Sequence, residues 1–166
     1  MKNRLMILTA LIVFSPLTRV LADGSAEADV SLTPAGDFKA KTDDVKGFAV
    51  MKGDQVTAEN VVVNLKKLST GLAMRDKHAR DKYLEVEKYP EMTLVKATGK
   101  GGKGIGRIKY RGVEKDVAGS YEIKGSNLQA SFPLKLSDFN VKGIKYMGVG
   151  VDDEIKIHVT LPVKKN

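Results

Sequence analysis

An all-β fold is what this sequence predicts, an antiparallel sandwich or barrel broken once by a charged helical plug. Apolar and polar residues alternate through most of the chain, which is the period of a half-buried strand. Turn signals recur at short, regular spacing and leave room for about eight strands. No long helical period, strand–helix–strand spacing or internal repeat breaks this pattern.

The chain opens on a segment outside the expected fold. Lys2 and Arg4 precede an apolar run over residues 5–14, Pro16 breaks it, and Val20-Leu21-Ala22 supplies small residues for cleavage. Residues 1–22 read as a secretory signal peptide, because the run is about half the ~20 residues a membrane span needs. No cysteine follows it to take a lipid anchor. Residues 23–166 form one expected mature domain, periplasmic or secreted, long enough to bury roughly 68–70% of its unfolded surface. The net charge is +8, of which Lys2, Arg4 and Arg19 leave with the leader. This modest basic excess fits ordinary solubility first and an anionic surface second, and no nucleic-acid partner is expected. The absence of cysteine excludes disulfides and thiolate chemistry.

Along the chain, residues 23–28 read as a small, acidic, flexible lead. Val30 and Leu32 precede a Pro34-Ala35-Gly36 turn, and Phe38 and Ala40 follow it. Residues 47–51 make a short strand before the Lys52-Gly53-Asp54 turn. Residues 56–65 make a stronger one, with Val61, Val63 and Leu65 on one face. Beyond the plug, residues 92–98 form a strand. Gly99-Lys100-Gly101-Gly102-Lys103-Gly104 has dinucleotide-loop spacing, but such a loop must open a helix. Here a strand pattern follows, so a hairpin is expected. Ile108 and Tyr110 share one face, opposite Arg107, Lys109 and Arg111. After a turn at residues 112–115, Val117, Gly119, Tyr121 and Ile123 line the return strand, and the small Gly119 and Ala130 leave room inside. Leu128, Ala130, Phe132, Leu134 and Leu136 alternate without interruption, and Pro133, which cannot donate to a ladder, marks an edge or bulge. Residues 137–150 read as a loop carrying Phe139. In the last strand Ile155, Ile157, Val159, Leu161 and Val163 face inward and His158 outward, as a solvated surface histidine.

The plug spans residues 69–94. Ser69 or Thr70 is placed to cap a short helix. Asp76 with Arg80, and Lys77 with Asp81, sit one turn apart. Ala79 and Tyr83 share a face suited to a core, and Pro90 ends the segment. Arg75 and Asp76 are expected to hold the plug on the barrel by hydrogen bonds, with a solvated charge run as the alternative. His78 and His158 belong to different elements, so no metal site is expected. No nucleophile-elbow pattern surrounds Ser69, so no catalytic residue and no enzymatic activity are expected.

Leu68-Ser69-Thr70-Gly71, Arg75-Asp76-Lys77-His78 and Val86-Glu87-Lys88-Tyr89-Pro90 resemble the signature of the YceI-like polyisoprenoid-binding family. The strand and turn over residues 106–113, and Ser137-Asp138-Phe139, match the same family in order. The chain departs from its pattern at Ala79, where leucine is usual, at Tyr83-Leu84, which replaces an aromatic pair, at a shortened following loop, and at Asn140, where glycine is common. The resemblance implies an eight-stranded antiparallel lipocalin-like barrel carrying a long-chain amphiphile, an isoprenoid or fatty-acid derivative, and no other cofactor. The pocket-lining candidates are then Phe38, Val63, Leu65, Ile108, Tyr110, Val117, Tyr121, Ala130, Phe132, Leu134, Phe139, Ile157 and Val159. Arg75, Asp76, His78, Tyr83 and Tyr89 are the candidates at the mouth and plug. Two rivals stand beside the carrier. One is a filled barrel meeting an anionic membrane or protein partner through Lys100, Lys103, Arg107, Lys109 and Arg111; the other is an enzyme on lipid-like substrates. Monomer and homodimer are both open.

Overall fold

The computed structural model describes residues 24–165 of the chain. The predicted signal peptide, residues 1–22, lies outside them. Eight strands close into a ring: β1 (Gly24–Leu32), β2 (Gly36–Lys46), β4 (Gln55–Asn64), β5 (Glu91–Lys100), β6 (Lys103–Tyr110), β7 (Val113–Lys124), β8 (Asn127–Lys135) and β11 (Glu154–Lys165). Every neighbour around the ring is antiparallel, and β1 on β11 closes it with Ala26 opposite Val159. The short β3 (Ala49–Lys52) continues β2 past a bend, pairs antiparallel with β4, and runs parallel to the end of β11. Closure leaves no free edge around the ring, the liability that open sheets carry.

The alternation seen in the sequence becomes an apolar inside and a charged outside. Val56 and Ala58 point in from the first half of β4, and Val61 from the second. The parity changes at Asn60, whose backbone is left-handed (φ 52°), while β5 keeps register beside it, with Glu59 opposite Lys96 and Val61 opposite Leu94. On the outside, Arg107 pairs with Asp116 across β6 and β7, and Lys96 with Glu59 across β5 and β4.

Three expectations change. Residues 24–28 are the start of β1, because β2 and β11 flank them and both offer backbone partners, Thr42 and Val159 opposite Ala26. The turn after β6 is Arg111-Gly112, so β7 already begins at Val113. Residues 137–150 are not a plain loop: a 3-10 turn, Leu136–Phe139, precedes a two-residue hairpin between β9 (Lys145–Tyr146) and β10 (Val149–Gly150). The dinucleotide-like run is the β5–β6 hairpin, with Gly101 and Gly102 both left-handed. Pro133 sits where β8 still pairs with β11 but has left β7, whose ladder with β8 runs only from Ser120↔Ser131 to Lys124↔Asn127.

Candidate functional site

The inward stripes do not meet in the middle. They enclose a cavity of about 270 Å³ whose wall is almost wholly apolar. Engineered apolar cavities of about 150 Å³ stay dry and take benzene, so this one has room for an apolar guest. One end is floored by the cluster of Val45, Ala49, Val56, Val61, Leu128 and Leu161. The plug supplies Ala79, Tyr83 and Leu84 to the other end.

The plug is a helix in two parts, α1 (Ala73–Lys77) and a π-helical continuation, His78–Tyr83. Its extra residue per turn lets Leu84 bond back to Ala79 and turns Ala79 and Tyr83 toward the cavity. Neither Ser69 nor Thr70 caps the helix; Leu72 holds the N-cap position without a side-chain bond. The relation is reversed, since Asp76 reaches back from the helix to accept from Thr70 N (2.6 Å), Thr70 Oγ1 and Ser69 Oγ (2.9 Å). Arg75 donates from Nε and Nη2 to Thr70 Oγ1 and O, 2.8 Å each, and lies 3.9 Å over the Phe38 ring. This end of the plug is therefore held by hydrogen bonds rather than left as a solvated charge run. Lys77 pairs with Asp81, whereas Arg80 turns from Asp76 to the Lys66 carbonyl.

The other end is held by Arg111. Its guanidinium pairs with Glu85, donates to the carbonyls of Tyr83 and Asn140 (3.3 Å each), and lies 4.7 Å over the Tyr89 ring. Arg111, Glu85 and Asn140 are all non-glycine residues with positive φ, so backbone strain gathers at this contact.

Of the lining candidates, Phe38, Val63, Leu65, Ile108, Val117, Tyr121, Ala130, Phe132, Leu134, Ile157 and Val159 lie on the cavity wall. Tyr110 and Phe139 do not. Both are 2% exposed and pack into the core beneath the plug, with ring centroids 6.4 Å apart. Tyr110 donates its hydroxyl to the Leu84 carbonyl, and burial pushes its phenol up to about 12. Among the plug candidates only Tyr83 reaches the wall; its hydroxyl donates to Lys145 O and accepts from Lys145 N. His78 is exposed, and Tyr89 packs edge-on to Tyr110.

Residues 23–163 match the YceI-like domain. The chain belongs to the YceI-like family. A UPF0312 protein of Yersinia pestis is 35% identical over 97 residues, covering 49% of this chain and 50% of that protein. A UPF0312 protein of Photorhabdus laumondii is 37% identical over 98 residues, covering 50% and 51%. The chain thus aligns with about half the length of these curated relatives. Burkholderia cenocepacia BcnA shares the fold with a TM-score of 0.64 at 16% identity, over 84% of this chain and 95% of that one. A polyisoprenoid-binding domain from Saccharophagus degradans, implicated in plant cell wall breakdown, gives a TM-score of 0.56 at 10% identity, over 85% and 93%. The Campylobacter jejuni YceI protein gives 0.52 at 16%, over 97% and 96%.

In this YceI-like barrel the lining candidates leave out several stretches of wall: Ala26, Ala28, Val30 and Ala40 on β1 and β2, Val56, Ala58 and Val61 on β4, and the small residues Ala97, Gly99, Gly104 and Gly106 on β5 and β6. Tyr121 on β7 reaches over Gly104 of the neighbouring β6 to lie against Gly99 of β5, where an added Cβ would collide with its ring. The signal lies in the glycines: Gly99 and Gly104 carry the hairpin reading, and Gly106 opens the family-like strand over residues 106–113. His158 is also more than a solvated side chain. Its Nδ1 is 3.0 Å from Ser131 Oγ and its Nε2 2.9 Å from Asp29 Oδ2, linking β8, β11 and β1. The hydrogen bond from His158 holds the Asp29 carboxyl below its ordinary range. Serine hydrolases use the ring the other way round, with Nε2 to serine and Nδ1 to aspartate. The cluster rests on the outer face of the sheet and braces the ring closure.

Asp76 gives the plug a pH dependence. Burial works against its charge, yet the bonds from Thr70 and Ser69 outweigh burial and hold the carboxyl below the usual value. A depressed native pKa contributes stability that is present above the unfolded value, near 3.9, and lost as pH falls through the native one. Acid unfolding should therefore shift toward neutral pH in Asp76→Ala. An unchanged acid midpoint would show that the carboxylate does not hold the plug.

Proposed function

We propose that this chain is a non-catalytic carrier that holds one long apolar chain, an isoprenoid or acyl lipid, lengthwise in the barrel with its head group at the plug. We further propose that it works in the periplasm or outside the cell, after removal of residues 1–22. The observation that carries this reading is the apolar cavity running from the plug to the opposite core cluster. Each buried methylene is worth about 0.8 kcal/mol, so a modest tunnel gives tight binding. The shared fold of a polyisoprenoid-binding domain supports it. The filled-barrel rival loses ground because its basic cluster is divided: Lys100 pairs with Asp54, Arg107 with Asp116, and Arg111 with Glu85.

Mass spectrometry of an organic extract of the purified protein should show a stoichiometric lipid. Ala130→Phe, placed on the cavity wall, should displace it while the ligand-free protein keeps its melting temperature, because the new ring enters empty space. In a filled core the same change would overpack and cost about 1–3 kcal/mol. A lipid-free parent that loses stability on Ala130→Phe would reject the carrier. Intact mass from the native host tests the leader, and a mass retaining residues 1–22 would sink the export reading.

A further inference from the structure

Two local rules are broken at the plug end of the barrel, and both breaks put a large apolar side chain into water. Helix N-caps favour Ser, Thr, Asp or Asn, yet Leu72 occupies the cap of α1, makes no capping bond and is 49% exposed. The tip of a two-residue hairpin with positive φ at both positions favours Asn-Gly, yet Met147-Gly148 joins β9 to β10 with φ of 50° and 83°. Met147 is 86% exposed, and Met74 in the first turn of α1 is 72% exposed. The guanidinium of Arg75, next to Met74, lies 5.4 Å over the ring of Tyr146, next to Met147, so helix and hairpin are neighbours. Local choices that cost stability without packing anything are expected where a surface has another task.

The charges of the same two segments narrow that task. Residues 72–83 and 140–150 carry Arg75, Lys77, Arg80, Lys82, Lys142 and Lys145 against two carboxylates. Asp76 is turned inward onto Ser69 and Thr70, and Asp81 is paired with Lys77. At the base of the hairpin, Asp152 accepts from Thr33, and Asp153 from Ser137. A second copy of the chain would set two such basic faces against each other. An anionic lipid surface answers both features, taking the Leu and Met side chains at the head-group boundary and neutralising the cations around them. Methionine suits a fluid partner because its unbranched side chain adapts. The other side of the same helix carries Ala79 and Tyr83, which close the cavity.

We infer that the plug end of the barrel, presented by Leu72, Met74 and Met147, is a docking surface for an anionic lipid bilayer, seated so that the lid of the cavity faces the membrane. Docking stands on the surface itself; its use for loading rests on the carrier reading. Flotation with phosphatidylcholine vesicles, with and without phosphatidylglycerol, tests it. The protein should float with the phosphatidylglycerol vesicles, and the double variant Met74→Ser, Met147→Ser should partition roughly tenfold more weakly. Phe48→Ser, an apolar change outside the plug end, should float like the parent. Circular dichroism melting of the variants reports their fold, and Met147→Ser alone, at the hairpin tip, replaces the pair if the pair does not fold. Absence of flotation, equal flotation of parent and Met variants, or a self-associating parent that Met147→Ser makes monomeric would each overturn the inference. Lipid extracted from the same preparations separates the two readings: docking without co-purified lipid removes the carrier alone, and lipid without docking removes the docking surface alone.

Discussion

Tyr110→Ala should be the most damaging single substitution in the barrel, costing about 3–5 kcal/mol, the range for emptying a buried aromatic site. For a domain of this size that is a fall of roughly 10–15 °C in melting temperature. The side chain is 2% exposed, packs between Tyr89 and Phe139, and anchors the plug through the Leu84 carbonyl. Tyr110→Phe keeps the ring and removes that bond alone, leaving a half-buried carbonyl without its partner at a cost of about 1 kcal/mol. Thermal melts of both variants check this. A Tyr110→Ala protein that melts with the parent but loses its lipid would return Tyr110 to the pocket wall.

Gly119→Ala should cost about 1–3 kcal/mol by overpacking, a large effect for one methyl group. β8 passes so close to β7 here that an added Cβ would sit well inside contact with the Ser131 carbonyl oxygen, and 2.7 Å from Phe132 Cβ. Both obstacles belong to a strand with nowhere to retreat, because β11 holds its far side from Lys135 to Asn127. Denaturant midpoints would report the loss; a midpoint equal to the parent's would mean that β8 can move away. Gly119 and Ala130 are both small and both face the cavity, but for different reasons. Ala130 borders empty space, whereas Gly119 makes way for a backbone.

That contrast marks how far the sequence could be read. Alternation reports which face a residue belongs to, and on that basis eleven of the thirteen lining candidates reached the cavity wall. It does not report depth along the barrel axis. Tyr110 has inward parity and Phe139 lies in the 3-10 turn after β8, yet both sit in the core beneath the plug, packed with Leu84, Val86 and Tyr89. Ring closure was likewise not in the pattern, because one alternation serves a sandwich and a barrel. In the plug the signal was charge, and charge alone did not distinguish a helix capped by Thr70 from an Asp76 that collects Ser69 and Thr70 from behind. The parity change at Asn60 left no trace, since Val61, Val62 and Val63 just beyond it supply apolar residues to both faces.

The way the ring closes also sets an order of assembly. Its seam joins Ser25–Asp29 to Lys156–Thr160, so the first strand waits for the last. The other neighbours around the ring, β1–β2, β2–β4, β4–β5, β5–β6, β6–β7, β7–β8 and β8–β11, are successive ring strands along the chain, whereas the seam joins the first of them to the last. Pairings so distant in sequence slow folding. Until β11 arrives, β1 and β8 each present an unpaired edge beside an apolar face, the template on which chains join one another. A chain stopped before residue 154 should therefore aggregate rather than stand as a smaller sheet, because both edges stay open until the twelve-residue β11 is in place.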